Sequence, residues 1–164
     1  MTDIKTIVAV SKSIDVLEAS KEIQQQLNHP DIKFVLFYCS VAYRLDELAA
    51  AMTKTLKDVD IVGCTTAGEI TPEGYEQGSV LAIGFSQKYF SISAKIIESM
   101  DDFGIVDAQN TMSELTEQCD LKRLTSIKDN SFLLTLLDGL STKEDQFLQT
   151  LNYATYGIPH FGGS

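Results

Sequence analysis

The stretch "FVLFY", Phe34 to Tyr38, decides how the rest of the chain is read. Five consecutive apolar or aromatic residues describe a strand buried on both faces, as in the middle of a sheet covered by helices. Upstream, Ile7 to Val10 reads as a short first strand. Ser13 is placed to cap a helix that repeats Val16, Ala19, Ile23 and Leu27 on one face before "NHP" stops it. Downstream, Leu45, Leu48, Met52 and Leu56 carry the same helical spacing and lead into "DIVGC". Strand, helix, strand, helix, strand predicts parallel pairing with right-handed crossovers.

Beyond residue 70 the pattern changes. "SVLAIGFS" and "FSISAKII" are strand-like runs separated by "QKY", and so short a connection predicts an antiparallel hairpin that makes the sheet mixed. A third helix places Ala108, Met112, Leu115 and Cys119 on its inner face. "SFLLTLLDGL", Ser131 to Leu140, reads as a further apolar strand ending in an Asp-Gly turn. "STKE" after it reads as a capping box of Ser141 and Glu144, opening a helix that buries Phe147, Leu148 and Leu151. "YGIPHFGGS" reads as a terminal loop behind an apolar stub, and the natural polypeptide is expected to continue past Ser164. The fold class is therefore layered α/β with a mixed, mostly parallel central sheet, a single domain over 1–164 that is an incomplete half of something larger.

The 164 residues are 44% hydrophobic and carry 13 Lys and Arg against 23 Asp and Glu, a formal charge of −10. That balance lacks the basic footprint that phosphate backbones require, so neither nucleic acid nor an anionic membrane surface is an expected partner. No apolar run approaches the roughly 20 residues that cross a bilayer. The start "MTDIKTIVAVSKS" has no leader pattern, and the expected location is cytoplasmic. Cys39, Cys64 and Cys119 contain no C-x-x-C pair, and reduced thiols without zinc are expected.

In an open α/β sheet, ligands bind beyond the carboxyl ends of the parallel strands. Those ends are Ser11, then Cys39 and Ser40, then "CTTAGE" from Cys64 to Glu69, then Asp138 and Gly139. Three chemistries compete for them. The order Cys64, Asp138, His160 matches that of α/β-hydrolase triads, but a nucleophile elbow needs glycines two before and two after the nucleophile. Here Gly63 is adjacent and Thr66 stands two after, leaving Cys64 as a packing thiol and a cysteine hydrolase as the lesser alternative. A phosphate cradle needs the lysine of G-x-x-x-x-G-K-[ST] or the spacing G-x-G-x-x-G, and "GCTTAG" has neither. What remains is a glycine-flexed turn offering the hydroxyls of Thr65 and Thr66, the backbone of Gly68 and the carboxylate of Glu69 to a neutral polar or amine-bearing small molecule. The bland counterpart is that both threonines bond local backbone and Glu69 is solvated. Two histidines are too few for a zinc site. His160, between Pro159 and Phe161, is conceivable as an axial haem ligand, although a lone histidine there is more often structural.

Taken together, "IVGCTTAGEI", "GSVLAIGFS", "LLDGLSTKEDQFL" and "IPHFGGS" resemble, in order, the N-terminal half of the FIST domain, a cytosolic sensory module of bacterial signal-transduction proteins. The resemblance implies a receptor without catalysis or obligatory cofactor that binds small ligands such as amino acids and passes the signal to an output domain, kinase or cyclase. Some relatives are haem-binding nitric-oxide sensors, which keeps haem as the cofactor alternative through His160. It maps Gly63 to Glu69, then Asp138, Gly139 and Ser141, then Gly162, Gly163 and Ser164. The family usually carries serine where Thr65 stands, which keeps the hydroxyl, and its last motif continues into a C-terminal half. With Ser40 from the second strand end, the expected ligand site is Ser40, Thr65, Thr66, Gly68, Glu69, Asp138, Gly139, Gly162, Gly163 and Ser164. Strand edges and apolar surface that a missing half would cover are expected to favour self-association.

Overall fold

A computed structural model describes residues 3–120 and 127–163. It is a mixed α/β structure in which the chain divides into two compact units, one ending at Phe90 and one beginning at Ser91.

The first unit runs β1 (Thr6–Ser11), α1 (Val16–Gln26), β2 (Ile32–Ser40), α2 (Leu45–Thr55), β3 (Asp60–Thr66), β4 (Glu69–Thr71), β5 (Gly74–Glu76) and β6 (Val80–Ser86). "FVLFY" is the centre of β2, as its uninterrupted apolar run predicts. The sheet order is β1-β6-β2-β3. β2 and β3 pair parallel from Phe34↔Asp60 to Ser40↔Thr66, and β6 lies antiparallel to both β1 and β2. Thus β1, β2 and β3 run the same way, and their carboxyl ends gather at one edge with the start of β6.

Inserting β6 overturns two expectations. β1 and β2 do not pair with each other, because β6 occupies the space between them. With both its edges taken, β6 has no free backbone to receive a hairpin partner, so "FSISAKII" forms no strand. The hairpin of this region lies earlier: β4 and β5 pair around "TPEG", with Gly74 at φ +124° opening β5.

Alternate residues of the sheet meet both helices on one face. Ala9, Val35, Phe37, Cys39, Val80 and Ala82 pack with Ala19, Ile23, Leu48 and Met52. Fully burying one such aliphatic side chain stabilises by about 1.5–3 kcal/mol. Gly63 is a packing requirement of this face: a Cβ there would sit 2.4 Å from both the ring and the carbonyl oxygen of Phe37. The cap of α1 is Asp15 rather than Ser13, its carboxylate accepting from the amides of Leu17 and Glu18 at 2.9 Å each. Ser13 instead donates its hydroxyl to Glu18.

The second unit contains α3 (Ile105–Gln118), α4 (Ile127–Asn130), β7 (Leu133–Leu136), α5 (Glu144–Ala154) and β8 (His160–Gly163). Its core joins Phe103, Ala108 and Met112 to Phe147, Leu151 and Ala154, with the Phe103 and Phe147 rings 4.6 Å apart. "FSISAKII" lies along α3, with Ser93 Oγ donating to Leu115 O and Lys95 paired with Glu114. Its alternating polar residues therefore bond to α3 and its cap, Ser93 half-buried and Ser91 and Lys95 still exposed. Cys119 is half-buried at the end of α3, its thiol donating to Ser93 Oγ.

Three further expectations are corrected here. The strand over Ser131–Leu140 shortens to β7 because α4 precedes it and the Asp138 turn ends it. "STKE" is no capping box: Lys143 is the cap, without a side-chain bond, and Ser141 Oγ accepts from the Lys143 amide in a local turn. The terminal motif is no loop: β8 pairs parallel with β7 from Leu133↔His160 to Leu136↔Gly163. Gly162 permits that pairing, since a Cβ there would lie 2.3 Å from Thr135 O.

Candidate functional site

The common edge of β1, β2 and β3 is polar because each strand ends in a hydroxyl residue, and these hydroxyls are tied down from within. Ser11 Oγ donates to Glu22 of α1 at 2.6 Å. The Ser40 amide donates to Ser79 O at 3.0 Å, and Ser40 Oγ accepts from the Ala42 amide at 3.3 Å. Tyr43 reaches across the edge and donates its hydroxyl to Ser13 O at 2.7 Å, with Gly78 O at 3.2 Å as the alternative acceptor.

Glu69 is the centre of this network. Only 1% exposed, it accepts from Thr66 Oγ1 at 2.7 Å, from Ser79 Oγ at 2.8 Å and from the Ser79 amide at 3.2 Å. Three donors, one of them backbone, satisfy a carboxylate that would otherwise be too costly to bury. They bind the end of β3 to the start of β6, so Glu69 is neither solvated nor displayed. Ser79 and Tyr43 were not among the expected site residues. The one signal for Ser79 is its place after Gly78, which sits at φ +78° directly before the apolar run of β6.

The other members of the turn divide by exposure. Thr65 is exposed, and Thr66 and Gly68 are half-buried. A Cβ on Gly68 would press into the Tyr75 ring at 2.3–2.5 Å, so the β5 aromatic lies against this glycine. Lys12, just past β1, pairs with Glu76 of β5 at 2.7 Å. The β4–β5 hairpin is thereby held at both ends of the strand edge, at Glu69 and at Glu76.

Cys64 sits beside Tyr38 in the β2–β3 register, half-buried, and burial pushes its thiol above the usual range. Cys39 is buried outright and pushed up to about 11, by burial first and then by the neighbouring Cys64 and Glu69. Both thiols are held in the protonated, weakly nucleophilic form. The histidine of this unit, His29, precedes β2 and therefore lies at the opposite end of the sheet from Cys64.

In the second unit Asp138 is exposed and folds its own turn, Oδ1 accepting from the Leu140 amide and its carbonyl from the Ser141 amide, each at 3.0 Å. Gly139 is exposed in the same turn, and Gly162 and Gly163 are exposed in β8. Ser164 lies outside the described residues. His160 Nε2 is 2.9 Å from Thr135 Oγ1, and burial lowers its pKa. A neutral imidazole is the form that ligates iron, but Nε2 is already engaged by the threonine. Among the described residues no group of three or more His, Cys, Asp and Glu is placed to hold a metal ion, and no helix is long and apolar enough to cross a membrane.

A family model of the FIST N domain matches residues 33–164, from within β2 to the last residue. The chain belongs to the FIST N domain family. That is a family of sensory, signal-transduction domains. No curated protein matches the chain. In this FIST N domain the Gly-Cys-Thr-Thr-Ala-Gly-Glu run is thus an internally bonded corner, and the Asp-Gly turn and β8 belong to the second unit.

Proposed function

We propose that this FIST N domain is the ligand-sensing input of a cytosolic bacterial signalling protein, binding an amino acid or related metabolite and passing occupancy to an output domain or partner kinase or cyclase. The observation that carries it is the family match over residues 33–164. The corner geometry supports binding over catalysis: Glu69 is spent on Thr66 and Ser79, and the Cys64 thiol is kept protonated by burial. In this reading the contacts are offered either by Thr65, exposed in the first unit, or by Asp138 and Gly139, exposed in the second. Ser40, Thr66, Gly68 and Glu69 stiffen the corner, and Gly162 and Gly163 set the β8 backbone. Ligand that binds only the folded state raises the melting temperature by mass action. A thermal-shift screen against the amino acids should find a stabiliser whose effect is lost in Thr65→Val or Asp138→Ala. A stabiliser indifferent to both variants would move the site elsewhere, and none in the intact polypeptide would sink the reading.

A further inference from the structure

The second unit carries an open-sided groove of about 420 Å³ between residues 95–103 and the first three turns of α3. That volume falls within the range of small-molecule sites. Its lining is unevenly charged. Lys95 is neutralised by Glu114 at 2.5 Å, and Asp107 gives one oxygen to the Gly104 amide at 2.9 Å. Glu98 and Asp102 are exposed in the groove wall without an ion pair or hydrogen bond among the described residues. Ile97 and Phe103 give it an apolar floor.

Thr111 adds an observation independent of charge. It is 6% exposed and lines the groove, yet among the described residues its hydroxyl makes no hydrogen bond, not even the bond to the preceding turn that Thr116 makes to Met112 O. It is not sealed off either, for no buried side-chain oxygen or nitrogen lacks a partner among the described residues, so this oxygen stays open to solvent on a residue that lines the groove. Water reaches this oxygen in the free protein, and a ligand N–H donor would take that water's place.

We propose that this groove binds a linear organic polyamine, one ammonium at Glu98 and Asp102 and one amine N–H donated to Thr111 Oγ1, with the methylene chain across Ile97 and Phe103. The negative balance of the lining excludes a phosphate or carboxylate ligand. A bare divalent cation needs several oxygens converging within 2.0–2.6 Å, and no group of three metal-ligating side chains is so placed among the described residues. An extended polyamine bridges separated acceptors that a metal ion cannot. None of these residues belongs to the motifs that carry the sensory reading. Failure here is therefore read at Thr111, and failure there at Thr65 and Asp138.

Spermidine titrated calorimetrically into the intact protein at physiological salt tests the proposal. The charge of −10 invites diffuse cation binding, so the deciding variant is neutral. Thr111→Val is isosteric and removes only the acceptor; it should weaken spermidine at least about fivefold, the worth of one hydrogen bond. Glu98→Gln with Asp102→Asn should weaken it more than about tenfold, while the same charge removal in the other unit, Asp60→Asn with Glu73→Gln, should leave it within about twofold. Amide shifts of the wild-type protein on adding spermidine, confined to residues 95–114, give a readout that survives any folding defect of a variant. No binding at millimolar spermidine, equal affinity in Thr111→Val, or amide shifts spread over the surface would each overturn it.

Discussion

Thr66 Oγ1 donates to the Glu69 carboxylate at 2.7 Å, so two residues that the motif presents as ligand contacts satisfy one another. Because Glu69 also holds the amide and hydroxyl of Ser79, its removal orphans three donors at once. Glu69→Ala is expected to destabilise the protein by about 2–4 kcal/mol, with Glu69→Gln less severe because one carbonyl oxygen still accepts. Urea unfolding of the two variants checks the order; an alanine variant as stable as wild type would show that the carboxylate is not structural.

Gly63 and Gly68 stand five residues apart in one motif and should behave oppositely. Gly63→Ala meets the Phe37 ring and carbonyl at 2.4 Å, and since the backbone oxygen cannot move aside, a loss of about 2–3 kcal/mol is expected. Gly68→Ala meets the side chain of Tyr75, whose exposed ring can shift at the expense of its hydroxyl's bonds with Ala67 O and Gln77, and should cost under about 1 kcal/mol. Paired thermal melts decide it, and equal losses would contradict the contact geometry.

Burial lowers the pKa of His160 in the folded protein, so the unfolded chain holds more protons as pH falls through the ordinary histidine range. The associated stability is complete above about pH 6.5, the unfolded value, and drains away below it until the folded pKa is passed. Melting temperatures of wild type and His160→Asn measured at pH 7.5 and 5.5 should diverge less at the lower pH. A difference that grows on acidification would reverse the sign.

With both Cys39 and Cys64 thiols raised by burial, neither should outpace a model thiol toward iodoacetamide at pH 7.5. Cys39 should stay unmodified until the protein is denatured. Mass spectrometry of a timed alkylation tests this, and labelling of Cys64 faster than glutathione would revive the nucleophile reading.

Much of the layout was legible along the chain. "FVLFY" announced a central strand, and the spacing of Leu45, Leu48 and Met52 announced a helix beside it, because strand and helix periodicities are written in which residues must leave water. Exclusion of a phosphate loop was equally local, since it depends on spacing within ten residues. Partner choice was not local. "SVLAIGFS" reads as a strand, but nothing in its residues states that it will lie between β1 and β2 and leave "FSISAKII" unpaired.

The same division runs through the site. A glycine-flexed polar corner at the end of β3 follows from the sequence alone, as does family membership, because both rest on residue order. Whether Glu69 faces a ligand or the protein was decided by Ser79, ten residues on, whose amide and hydroxyl arrive only once β6 has crossed the sheet. Whether Thr111 finds a partner was decided by the groove that residues 95–103 leave open beside α3. Periodicity fixes which side of an element is buried; only the packed chain determines which polar groups meet there, since a hydrogen bond is settled within a few tenths of an ångström by elements far apart in sequence.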